Sequence, residues 1–159
     1  MKHPYLRPFL CLILSLLAAG QACAREKIPP EDLDIVEKRW PEAIKTFTGL
    51  RYVVLAPGDA NGPQPKPGNM VSVVYKGMLL DGKVFDQNNA EHPLKVRVDR
   101  GELIAGWDEA LQKMHKGEKW LLIVPPEMAY GARGRPPDIK RYATLVFEME
   151  LLDFGSELK

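Results

Sequence analysis

"GELIAGWDEALQKMHKGE", residues 101–118, decides how the rest of the chain is read, because helical periodicity interrupts a run of strand-like segments there. Trp107, Ala110, Leu111 and Met114 fall at i, i+3, i+4 and i+7, a single apolar stripe that predicts a short helix. Asp108 and Glu109 stand in its first turn, Lys113, His115 and Lys116 in its last, and Gly117 follows as a stop, all in agreement with the helix macrodipole. The helix opens on its largest apolar side chain. An indole in a first turn, just after Gly106, sits at the rim of a core, where it either completes the core or lines a cavity.

Working outward, the flanking segments alternate as strands do. "LRYVVLA" (50–56) leads into a Pro/Gly loop, "PGDANGPQPKPGN" (57–69), then "MVSVVYKGMLL" (70–80), the turn "DG" and "KVFD" (83–86). In the second of these, Val71, Val73 and Tyr75 alternate with Ser72 and Lys76, which predicts one buried face. Beyond the loop "QNNAEH" come "PLKVRV" (93–98), the helix, and "EKWLLIV" (118–124). A long loop, "PPEMAYGARGRPPDIKRYA" (125–143), precedes the last strand, "TLVFEMELLDF" (144–154), with Leu145, Phe147, Met149 and Leu151 on one face and Thr144, Glu148 and Glu150 on the other. Hairpin-like turns imply antiparallel pairing. The fold class is α+β, a twisted antiparallel β-sheet wrapped around one short α-helix.

Residues 25–48, "REKIPPEDLDIVEKRWPEAIKTFT", form a charged lead-in in which Leu33, Val36, Trp40, Ile44 and Phe47 keep helical spacing. Pro41 breaks that pattern at Trp40, so one or two short helical pieces docking on the domain are expected. The first 24 residues read as a secretory signal peptide: Lys2 and Arg7, then the apolar run "LCLILSLLAAG", then small residues at Ala22 and Ala24, with cleavage after Ala24. That places the mature chain in the periplasm or outside the cell. The run is too short to span a bilayer. Lipidation at Cys23 is the rival route, disfavoured by Gly20 and Gln21 where an aliphatic and a small residue are usual.

Cleavage would remove Cys11 and Cys23 and leave only His92 and His115 as soft ligands, which argues against thiol and zinc chemistry. The net charge of +1 and the lack of a charge run argue against nucleic acid. Neither GxSxG nor a phosphate-binding Gly-rich loop is present. What remains is an aromatic set near loop junctions, Tyr75, Phe85, Trp107, Tyr130 and Phe147, each explicable as core. Three stand beside polar or glycine punctuation: Phe85 next to Asp86, Trp107 after Gly106, and Tyr130 in "AYGARG". Together they could wall an apolar pocket with a few placed polar groups.

Four ordered motifs, "VVYKGMLLDGKVFD", "GELIAGWDEALQKMHKGE", "LLIVPPEMAYGARG" and "ATLVFEMELLDF", resemble the FKBP-type peptidyl-prolyl cis-trans isomerases from Gly49 to Phe154. "VPPEMAYG" is similar to a run shared by the secreted bacterial members, those like the macrophage infectivity potentiator. The resemblance implies that Trp107 is the pocket floor, that Tyr75, Phe85 and Phe147 line its walls, and that Leu103 and Ile104 stand just before the helix. It further implies that the Ile104 N–H and the Tyr130 hydroxyl hold substrate carbonyls, with Asp86 at the pocket edge. Leu94 stands where an aromatic is common in the family and keeps an apolar wall.

Other positions depart from the family pattern. The arginine that often pairs with the aspartate has no counterpart in "QNNAEH", Lys140 and Arg141 replace a proline pair, and Asp138 stands where an apolar residue is frequent. Ile139 is expected as the apolar tip of the flap, which carries the cations Arg133, Arg135, Lys140 and Arg141 offset only by Asp138. The expected division is a signal peptide (1–24), a lead-in (25–48), an isomerase domain (49–155) and a tail (156–159). Expected partners are proline-containing polypeptide clients and macrolide inhibitors, with no cofactor or metal. A proline-binding chaperone without isomerase activity is the alternative. A lead-in this short and broken implies a monomer rather than a dimer built on a long N-terminal helix.

Overall fold

Two long strands carry the architecture of the computed structural model, which describes residues 26–59 and 61–158. The expected signal peptide, with Cys23 and the Ala24 cleavage point, lies outside the described residues. Strand β3 (Met70–Leu79) runs antiparallel to β7 (Leu145–Gly155), from Met70 opposite Gly155 to Leu79 opposite Leu145. The other edge of β3 is shared: β5 (Leu94–Arg97) pairs with its first half and β4 (Val84–Gln87) with its second. On the far side of β7 lie β6 (Lys119–Val124), β2 (Arg51–Ala56) and the two-residue β1 (Ile44–Lys45). All seven strands form one antiparallel sheet.

The mid-chain helix α2 (Ala105–Leu111) packs on one face of this sheet, as the fold class requires. Val71 and Val73 of β3, Leu122 and Val124 of β6, and Leu145, Phe147, Met149 and Leu151 of β7 join Trp107, Ala110, Leu111 and Met114 in one buried cluster. The helix is shorter than the sequence pattern implies. After Leu111 the amides of Lys113 and Met114 both reach the Ala110 carbonyl, at 2.9 and 3.0 Å, so the chain tightens and turns away at Gly117 (φ +81°). Met114 keeps its buried place, but Lys113, His115 and Lys116 lie past the helix end.

A second helix occupies the lead-in. α1 (Pro30–Arg39) has proline at its first position, Glu31 and Asp32 in the first turn and Lys38 and Arg39 in the last. It ends at Trp40, before Pro41. Helical spacing continues no further: Ile44 enters β1, and Phe47 stands in a turn with 85% of its surface exposed. Val36 packs with Ile28, Leu121, Ile123 and Val146, so the lead-in covers part of the sheet face opposite α2. For that reason Val146 is buried; Thr144, on the face read as holding Glu148 and Glu150, is only 2% exposed.

Glu26 fastens the start of the lead-in. Its carboxylate accepts hydrogen bonds from the amides of Lys27 and Ile28, from Lys45 Nζ at 2.7 Å and from Arg51 Nη2 at 2.9 Å. Burial by itself raises its pKa, but the Lys45, Ile28 and Arg51 bonds outweigh burial and hold it at about 2. A depressed carboxylate contributes stability that is present above the ordinary value of 4.5 and lost as pH falls through about 2. Glu26→Gln is therefore expected to lower the denaturation midpoint at neutral pH. The gap from the unchanged protein should close between pH 4.5 and about 2. A gap that persists at the acid end would mean that the carboxylate charge contributes nothing.

Candidate functional site

The position of α2 is set by a close approach. A Cβ on Gly106 would meet Val124 Cγ1 at 2.6 Å, so only glycine lets the first turn press against β6. The next residue, Trp107, is thereby carried under the sheet with 5% of its surface exposed. Its indole N–H is buried and has no partner among the described residues. Rings meet it edge to face on two sides, Tyr75 at 4.8 Å and Phe147 at 5.2 Å between centroids. Phe85 stands against Phe147 at 5.7 Å in the same manner. Gly77 of β3 makes this pair possible, since a Cβ there would meet Phe85 Cζ at 2.7 Å and Phe147 Cε1 at 2.9 Å.

These rings wall a cavity of about 230 Å³ that is also lined by Asp86, Leu94, Glu102, Leu103, Ile104 and Tyr130. That is below the roughly 300–1,000 Å³ of a drug-sized site, and suits one ring with its flanking atoms. Two larger grooves run along the surface, about 520 Å³ beside α1 and the flap and about 620 Å³ beside α2. Both are rich in charged and polar side chains, and each has a single aromatic residue in its lining, Tyr142 in the first and Phe47 in the second. Among the described residues no cluster of His, Cys, Asp and Glu could hold a metal ion, and no helix is long and apolar enough to cross a membrane.

Four polar side chains, Tyr75, Asp86, Tyr130 and Arg135, stand together. The Tyr75 phenol is pushed up to about 12, first by burial and then by the Asp86 carboxylate, to which it donates a hydrogen bond. Arg135 Nη1 lies 3.7 Å from Asp86 Oδ2 and donates to the Tyr130 hydroxyl at 3.4 Å. The Ile104 N–H, at the cap of α2, donates to no backbone carbonyl among the described residues. One cavity therefore combines apolar walls with two phenols, Tyr75 and Tyr130, and two carboxylates, Asp86 and Glu102.

Nine of the ten residues singled out in the sequence line this cavity: Tyr75, Phe85, Asp86, Leu94, Leu103, Ile104, Trp107, Tyr130 and Phe147. Ile139 does not. It is 1% exposed within the main core and bridges back to Arg135, so it anchors the flap from inside instead of tipping it. Asp86 does have a cation beside it, but from the flap and not from the loop that follows it. Asp138 is paired as well, with Lys83 at 3.5 Å. Glu102 escaped the sequence reading, since a surface acid beside Gly101 carries no pattern; its carboxylate accepts the Arg97 amide at 3.1 Å.

The model of the FKBP-type peptidyl-prolyl cis-trans isomerase family matches residues 62–152. The chain belongs to that family. It is 47% identical over 114 residues to the FKBP-type isomerase FkpA of Escherichia coli, covering 70% of this chain and 40% of FkpA. To FK506-binding protein 1A of Aspergillus fumigatus it is 42% identical over 111 residues, 69% of this chain and 97% of the fungal protein. The crystal structure of a peptidyl-prolyl cis-trans isomerase from Pseudomonas syringae superposes with a TM-score of 0.70 at 36% identity, covering 79% of this chain and 91% of that one. The chain thus spans nearly the whole fungal relative and less than half of the E. coli one.

In this FKBP-type chain Trp107 belongs to core and cavity at once, and stability can separate the two. Trp107→Ala should cost on the order of 3–5 kcal/mol in urea denaturation, the range for removing a buried large ring. Trp107→Leu should recover much of that loss while leaving the cavity without its indole. An alanine variant as stable as the parent would show that the ring is not part of the core.

Proposed function

We propose that the cavity over Trp107 accelerates rotation about Xaa–Pro bonds in exported proteins, and that the chain is a peptidyl-prolyl isomerase of the secreted bacterial branch. The observation that carries this reading is the cavity of about 230 Å³ walled by Tyr75, Phe85, Trp107 and Phe147, with Asp86 and Tyr130 in its lining. A prolyl ring would lie across Trp107 between Tyr75, Phe85 and Phe147. The Ile104 N–H and the Tyr130 hydroxyl would hold the carbonyls on either side, with Asp86 at the rim. Export rests on the N-terminal sequence pattern alone.

The reaction needs no nucleophile. Amide resonance sets a barrier of roughly 18–20 kcal/mol, and prolyl bonds turn over in tens of seconds. At the twisted transition state that resonance is lost, and the bond is less dipolar than the planar amide. A dry aromatic cavity penalises the planar form, while donors fixed on the flanking carbonyls hold the twisted one. Shortening tens of seconds to milliseconds takes about 5–6 kcal/mol at ~1.4 kcal/mol per decade. Desolvation with one or two aimed hydrogen bonds is of that size. The same cavity would take the proline-sized part of a macrolide inhibitor, whereas a chaperone of this fold would bind proline segments without turning them over. A protease-coupled assay of proline isomerisation separates the two readings: no acceleration by the wild-type protein would reject the first.

Two outcomes are expected of that assay. Tyr130→Phe removes one oxygen and leaves the ring, so kcat/KM should fall several-fold, the equivalent of about 0.5–1.5 kcal/mol, with Tm nearly unchanged. The flap also presents Arg133, Lys140 and Arg141 to solvent. Peptides with Glu beside the proline should therefore exceed their Lys counterparts by a few-fold at low salt, since rim pairs are worth about 0.2–1 kcal/mol each. The preference should shrink at physiological ionic strength, where the Debye length is about 8 Å. Equal rates for the two peptides at low salt would remove the flap charges from substrate selection.

A further inference from the structure

Arg135 joins groups that lie far apart in sequence. Its Nη1 donates to the Tyr130 hydroxyl at 3.4 Å and stands 3.7 Å from Asp86 Oδ2, while its Cζ lies 5.8 Å from the Tyr130 ring centroid. The backbone beneath it is held on both sides. Its amide donates to the Ile139 carbonyl at 2.9 Å and its carbonyl accepts the Ile139 amide at 3.0 Å. The Gly134 amide donates to the Tyr130 carbonyl at 3.0 Å. Gly134 has φ +63°, and a Cβ there would meet the Ile139 carbonyl oxygen at 2.6 Å, so this tight return requires glycine. With Ile139 locked in the core, the root of Arg135 is fixed relative to the cavity.

We propose that Arg135 is a positioning residue that aims the Tyr130 hydroxyl proton into the cavity and keeps Asp86 from drawing it away; this rests on the isomerase reading of the same site. A phenol has one proton and two acceptor lone pairs. When Arg135 donates to the oxygen, the Tyr130 proton cannot point at the guanidinium and is left for a substrate carbonyl. A donor whose oxygen is already engaged by a cation is also polarised and donates more strongly. Asp86 is the competing acceptor, since Arg135 stands beside it as well as beside Tyr130, and Asp86 already accepts a hydrogen bond from the protonated Tyr75 phenol. Arg135 offsets its charge from the flap. The planar fork of an arginine can address a hydroxyl and a carboxylate together, which a lysine, a single point charge, does less well.

The role predicts coupling with Tyr130, which a merely structural contribution would not show. In the protease-coupled assay, Arg135→Met and Tyr130→Phe should each lower kcat/KM by about three- to ten-fold, the range for one hydrogen bond. The double variant should be no slower than Tyr130→Phe alone, because Arg135 acts through an oxygen that is then missing. Arg135→Lys should fall between parent and Arg135→Met, and Tm should report that all variants remain folded. An Arg135→Met protein as active as the parent, or a double variant slowed by the product of the single effects, would overturn the proposal. A parent protein that does not accelerate isomerisation at all would reject the isomerase reading, and this proposal with it. An active parent with an unaffected Arg135→Met variant would reject the role of Arg135 alone.

Discussion

Everything that defines the cavity depends on how closely the first turn of α2 approaches β6. Gly106 allows the contact with Val124. The register of the helix then leaves Trp107 no direction except under the sheet, against Tyr75 and Phe147. Those two rings sit on the paired strands β3 and β7, whose long antiparallel register fixes where they stand. A methyl group at position 106 would push the helix outward and carry the indole with it. The cavity floor is thus a consequence of backbone contact, and the side chains around it inherit their positions from that contact.

Such a site has a cost that is visible in its polar atoms. The Trp107 indole N–H is buried with no partner among the described residues, which costs about 1–3 kcal/mol in lost hydrogen bonding. The Tyr75 phenol is held protonated by burial and by Asp86. A better satisfied interior would be more stable. Four rings, Tyr75, Phe85, Trp107 and Phe147, make three edge-to-face contacts around the cavity, and Asp86, Tyr130 and Arg135 stand together beside them.

Much of this was legible because it is local. Strands β2 to β7 follow alternation and turn residues, and Trp107 declares itself by its place in a helical stripe after a glycine. The end of α2 was not legible, because the tightening after Leu111 comes from two amides competing for the Ala110 carbonyl. Nor was the pairing of Asp86 with Arg135, which brings together residues on β4 and the flap with no shared pattern. Ile139 misled for a related reason: an apolar residue in a charged loop can tip it or anchor it, and only the bridge to Arg135 decides. Phe47 misled too, since spacing continued on paper past a proline that the chain could not pass as a helix.

The run "WLLIV" in β6 looks redundant if the sheet has one buried face, and the lead-in explains it. Trp120, Leu122 and Val124 face α2, whereas Leu121 and Ile123 face Val36 and Ile28. β7 repeats the arrangement, with Leu145 and Phe147 on the helix side and Val146 on the other. Both strands are buried on both faces where they pass under α1, so their continuous apolar runs carry two alternating sets. A slip of one residue would exchange the sets and bring Val146 to the cavity in place of Phe147. The lead-in and the cavity never touch the same side chains on these strands, yet each depends on the register that places the other. Covering the outer face therefore helps to hold the strands that carry the aromatic walls, even though no atom of α1 lines the site.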